Sequence, residues 1–102
     1  MPRLTRGFQS QIKLLRHFQD HGHEFGAATA EDYEAKADIF LGSPLNPGIQ
    51  ECTRSDGDTL RYSRTTKEFG VLTDTNHIRT YYLLTKPTVT LRDAYFQDQC
   101  NQ

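Results

Sequence analysis

The chain has 102 residues, with twelve Lys and Arg against thirteen Asp and Glu, a formal net charge of -1 and a hydrophobic share of 35%. That length is expected to form one domain over residues 1–102 and excludes a two-domain reading. The near-neutral charge excludes bulk attraction to nucleic acid or anionic lipid, and no apolar run reaches the roughly eighteen residues of a membrane span.

MPRLTRGFQS lacks the apolar segment of a signal peptide, so any export is expected to depend on a carrier. From Phe8 to His21 the spacing predicts a helix, with Phe8, Ile12, Leu15 and Phe18 on one stripe toward the core. His17 and His21 fall more than about 90° from that stripe, beside Leu14 and Lys13, and are expected to border a cleft or solvent. Gly22 and Gly26 are stop signals, which puts His23 and Glu24 in a short connection. Thr29 is a predicted N-cap for a second helix with Glu31 and Asp32 in its first turn and Tyr33, Ala37, Phe40 and Leu41 on its apolar face. Gly42 ends it, and SPLNPG reads as loop.

From Ile49 the periodicity becomes strand-like. Ile49 to Arg54, Thr59 to Arg64, Phe69 to Thr73 and His77 to Leu84 predict a four-stranded antiparallel meander, separated by SDGD, TTKE and DTN. Leu91 to Cys100 is expected to form a short terminal helix capped by Thr90. The order predicts an α+β fold, with a helical part over about residues 8–42 on one side of a sheet over about 49–84, and a C-terminal segment 85–102. Arg54, Arg61, Arg64, Lys67 and Arg79 concentrate in the second half, against an acidic stretch from Glu24 to Asp38. A dipolar molecule with one basic surface is expected. Cys52 and Cys100 lack metal-type spacing, which leaves free thiols and a single disulfide equally open.

HFQDHGHEFG places three of the four histidines within seven residues, the densest set of groups that titrate near neutrality. His17 and His21 are four apart and share a helix face. With His23 and Glu24 they have the character of zinc ligands, but the HExxH order is absent, Gly22 interrupts the helix, and no further His, Asp or Cys pair completes a site. No metal and no cofactor is expected. A second reading leaves them as solvated groups near a helix C-terminus, where the dipole favours His⁺. A third is metal-independent acid–base catalysis, and RNA cleavage suits it because the substrate carries its own nucleophile, the 2′-OH. Arg54, Arg61, Arg79, Thr80, Tyr81 and Tyr82 then offer phosphate and base contacts, although alternation sets Thr80 and Tyr82 on one face and Arg79 and Tyr81 on the other. For Arg54, Arg61 and Arg79 the competing role is ion pairing with Glu51, Asp58 or Glu68. No Gly-rich phosphate loop or GxSxG elbow occurs.

The segments HFQDHGHEFG, EDYEAKADIFL, GDTLRYSRTTKEFGVLT and HIRTYY, in that order over Leu14 to Leu84, resemble small ribonuclease toxin domains of the Barnase/EndoU/colicin/RelE superfamily. Such domains stand at the C-termini of contact-dependent growth inhibition proteins, other polymorphic toxins and some phage proteins. The resemblance implies N-terminal helices on a four-stranded antiparallel sheet, metal-independent cleavage of RNA, commonly tRNA, in the cytoplasm of a target cell, and a cognate immunity protein. It implies a monomer or a heterodimer with that inhibitor. The matching motifs point to His17, His21, Thr80 and Tyr82 as catalytic, with Arg61, Lys67 and Arg79 binding substrate; Arg54, which the strands offer for phosphate contact, completes the expected substrate-binding set. The alternative from another class is a non-catalytic α+β interaction module of a phage or toxin assembly.

Overall fold

The computed structural model describes residues 3–102; the assignment of Met1 and Pro2 to the domain lies outside the described residues. An 11-residue helix α1 (Gln11–His21) is capped by the Ser10 hydroxyl, which accepts from the Lys13 amide, and passes into a 3-10 turn (Gly22–Phe25). Gly26 closes that turn at φ 64°, a left-handed conformation that glycine adopts without a Cβ clash. Helix α2 (Ala30–Gly42) starts at Thr29, whose hydroxyl accepts from the Asp32 amide as expected of an N-cap.

Strands β1 (Ile49–Thr53), β2 (Thr59–Ser63), β3 (Glu68–Leu72) and β4 (Ile78–Leu83) form an antiparallel meander in the order β1-β2-β3-β4. Helix α3 (Val89–Cys100) follows, capped by Thr88 rather than Thr90. Both threonines carry a suitable hydroxyl. Thr88 takes the role because the helix begins two residues earlier, straight after Pro87.

Period-2 alternation splits the strand residues between two cores. On one face Ile78 and Tyr81 meet Phe8, Leu14, Tyr33, Ala37, Phe40 and Leu41 beneath α1 and α2. On the other, Leu60, Tyr62, Phe69 and Val71 meet Phe96 of α3, with Tyr82, Tyr95, Cys52 and Cys100 at the margin. The N-terminal helices therefore take one face, as expected, and α3 takes the opposite one. Gly70 lets α2 approach: a Cβ there would stand 3.0 Å from the Leu41 side chain.

The apolar face expected for α2 is buried, but that of α1 is rotated. Ile12 is 71% exposed and Leu15 44%, while Leu14 is buried and His17 and Phe18 half-buried. Phe8 precedes the helix and forms a parallel bridge to Ile78 instead of the first rung of a helical stripe. Residues before α1 are held by α2: the Leu4 and Thr5 amides donate to Asp38 (2.9 and 2.8 Å) and the Phe8 amide donates to Glu34 (3.0 Å). Burial opposes ionisation of Asp38, but these amides and the Thr5 hydroxyl outweigh it and hold its pKa below 3.8. Part of the expected acidic stretch is thus an internal anchor rather than a surface.

Cys52 and Cys100 are disulfide-bonded, tying the edge strand β1 to the end of α3 across 48 residues. In the chain-entropy model a loop of that size stabilises the fold by about 4 kcal/mol.

Candidate functional site

The last turn of α1 projects His17 and His21 from one face, with ring centroids 6.3 Å apart. His17 rests on Phe8 at 5.3 Å, and His21 lies on the Tyr82 ring of β4 at 5.2 Å with 28° between planes. One aromatic row, Phe8–His17–His21–Tyr82, thereby joins the N-terminal segment, α1 and β4. Burial, and after it the neighbouring His21, lowers the His17 pKa below 6.5. His17 is therefore predominantly neutral at pH 7.

Glu24, in the 3-10 turn, faces the same row. Its Oε2 lies 2.8 Å from His21 Nδ1, and its Oε1 accepts from the Leu83 amide at 2.8 Å. An ionised carboxylate can only accept, so Nδ1 carries the hydrogen and, in the neutral ring, Nε2 is the free acceptor. On the other side the Tyr82 hydroxyl is hydrogen-bonded to the Tyr95 hydroxyl of α3, and the Lys86 ammonium stands 5.5 Å from the Tyr95 ring centre. Burial raises the Tyr82 pKa, with the Tyr95 hydrogen bond adding to it, so the phenol keeps its proton at neutral pH. His21, Glu24, Tyr82, Tyr95 and the 83–86 segment enclose a cleft of about 290 Å³. This arrangement pairs an oriented imidazole with a neutral phenol and an ammonium, a set able to move and donate protons at one place.

The arginines form a separate group. Arg54 Nη2 and Arg79 Nε each donate to Asp58 at 2.9 Å, and the Asp58 side chain is only 3% exposed. Burial works against the Asp58 charge, but the hydrogen bonds from Arg79 and Arg54 prevail and hold its pKa below 3.8. Arg54 also reaches the Gln99 carbonyl of α3 at 3.5 Å. Register explains how Arg79 leaves the face of Tyr81: Val71 pairs with Thr80 and Leu72 with Ile78, so Arg79 is the extra residue of a bulge. Arg79 and Tyr82 are three residues apart on β4, about 10 Å along the strand. Thr80, between them, shares the face of Tyr82.

Arg61 stands on the α2 side of the sheet. Its Nη1 donates to the carbonyls of Phe40 (3.1 Å) and Ser43 (2.7 Å), and its Nε donates to Glu51 at 2.8 Å. It thus satisfies carbonyls at the end of α2 that the helix leaves unpaired. Lys67 is exposed on the β2–β3 turn at φ 70°, and its carbonyl accepts from Leu84 just past β4. Arg64 pairs with Asp93. The basic surface expected of the second half is therefore mostly neutralised in place, because Glu51, Asp58 and Asp93 stand opposite its arginines.

His23 is exposed, and among the described residues no three His, Cys, Asp or Glu side chains gather as a metal-binding group. Sequence reasoning missed the orienting position of Glu24 and the contributions of Lys86 and Tyr95. Only the first had a local signal, the three-residue spacing His21–Glu24; Tyr95 reaches the cleft because α3 crosses the far face of the sheet, and Lys86 because it lies on the segment that leads from β4 to that helix. No protein-family model and no curated protein matches the chain, so the functional reading rests on the geometry of this site.

Proposed function

We propose that this chain is an antibacterial ribonuclease toxin domain that cleaves RNA, tRNA foremost, without a metal, and that a cognate immunity protein neutralises it. The observation that carries the reading is His21 fixed between the Glu24 carboxylate and the Tyr82 ring at the mouth of a cleft. In the reaction the 2′-oxygen attacks the adjacent phosphorus and the bond to the 5′-oxygen breaks. The 2′-OH proton leaves through the base, and a proton reaches the leaving oxygen, giving a 2′,3′-cyclic phosphate and a 5′-OH. His21 exchanges the proton with His17 as its partner, and the neutral Tyr82 hydroxyl is a donor beside them. Thr80 hydrogen-bonds the phosphate, while Arg54, Arg61, Lys67 and Arg79 offset charge along the RNA.

The test is inducible expression of the chain and of His21→Ala in bacteria, followed by total RNA on a denaturing gel with EDTA in the lysate. Discrete tRNA-sized fragments from the parent chain alone are the expected result. Intact RNA and normal growth in both strains would instead support a binding module.

A further inference from the structure

A second hollow, of about 550 Å³, lies on the α2 side of the sheet, and the proton-transfer steps above make no use of it. Phe25, Lys36, Arg61, Glu68 and Tyr81 line it, and Glu24 and Leu83 belong both to it and to the histidine cleft. The two hollows are thus opposite sides of one ridge, closed by the hydrogen bond from the Leu83 amide to Glu24. A chain lying across that ridge would enter both.

The walls have the chemistry of base recognition. Phe25 is half-buried and stacked on Tyr81 at 4.2 Å and 13°, a flat aromatic platform at the hollow. Glu68 is held by the Tyr81 hydroxyl and by the Thr66 hydroxyl at 2.7 Å, yet a carboxylate has about four acceptor sites, so capacity for further donors remains. Lys36 takes part in none of the ion pairs among the described residues. Unpaired RNA bases are recognised by stacking on aromatic rings and by hydrogen bonds to their Watson–Crick edges.

We propose that this hollow is the subsite for the base next to the cleaved phosphate, and that it takes a base presenting an N–H beside a carbonyl, guanine or uracil. Glu68, an acceptor only, receives the N–H; Lys36, a donor only, meets the carbonyl; the ring lies against Phe25. Adenine has no carbonyl, and in cytosine an acceptor nitrogen stands where the N–H is needed. The inference rests on the ribonuclease reading for its substrate.

The experiment is a titration of the chain with the four 3′-mononucleotides, followed by amide chemical shifts. The GMP or UMP isomer is expected to move Phe25, Thr66 and Glu68 and to bind at least about fivefold more tightly than the AMP isomer. Lys36→Ala, a change outside the core, is expected to weaken that binding, and Phe25→Leu to weaken it about tenfold through lost stacking. Shifts confined to His21 and Tyr82, or equal affinity for all four, would overturn the subsite and leave the ribonuclease reading standing. Base-selective shifts at the hollow in a chain that cuts no RNA would overturn that reading and keep the site as a nucleotide pocket.

Discussion

The two ends of β4 hold similar inventories of polar side chains and use them in opposite ways. At the start of the strand, Arg79 and Arg54 close on buried Asp58, and the end of α3 is fastened nearby by the Gln99 carbonyl and the Cys52–Cys100 bond. Opposite charges satisfy one another there. At the far end, His21, Tyr82 and Lys86 converge with Glu24 around a cleft, and one carboxylate must both orient His21 and anchor Leu83. A cluster whose bonds are closed stabilises the fold, whereas one that leaves an imidazole nitrogen uncommitted can do chemistry.

The sharpest break in this contrast is His21→Ala. Loss of a general base or acid is expected to lower RNA cleavage by roughly 10²- to 10⁴-fold with thermal stability nearly unchanged. A stable variant with full cleavage would end the contrast. At the other end the expectation reverses. Replacing both cysteines by serine is expected to cost about 2–4 kcal/mol in denaturant unfolding. Asp58→Ala should cost about 3 kcal/mol, because it leaves Arg54 mostly buried without its partner. Cleavage by the double serine variant at a temperature where it remains folded should stay within a few-fold of the parent.

Acidification sharpens the comparison further. His17 has a lowered pKa in the fold, so the unfolded chain binds its proton first; that stability is present above pH 6.5 and declines as the pH falls through and below it. Asp58 and Asp38 are also lowered, so a second decline follows below about pH 4 as both carboxylates take up protons. Melting temperatures measured from pH 8 to 3 should fall in two stages, and His17→Gln should remove only the upper one. A rise in stability between pH 7 and 5 would contradict the environment described for His17. Tyr82→Phe, which removes the hydroxyl contact to Tyr95 and keeps the ring against His21, is expected to lower stability by about 1 kcal/mol, measured by urea titration.

The pattern that was legible in the sequence is local. The α2 face of Tyr33, Ala37, Phe40 and Leu41 follows from spacing, the Thr29 cap from one side chain and its own backbone, and the meander from short β-rich runs between turn residues. His17 and His21 were legible as a pair for the same reason, being one helical turn apart. The face that α1 buries was not. Leu15 and Leu14 are equally apolar, and the choice falls to Leu14 because Phe8, bridged to Ile78, and Tyr33 stand on that side.

What tertiary structure alone decided is which partners complete each cluster. Glu24 reaches Leu83 across 59 residues, Tyr95 reaches Tyr82 from a helix on the far face, and Arg54, just past β1, shares with Arg79 of β4 one carboxylate that stands in the β1–β2 turn. Periodicity and capping act within a few residues through a backbone of fixed geometry, so they can be read from order alone. The state of a charge or an imidazole depends on atoms brought near by folding, so burial and partners emerge only once the layers have closed.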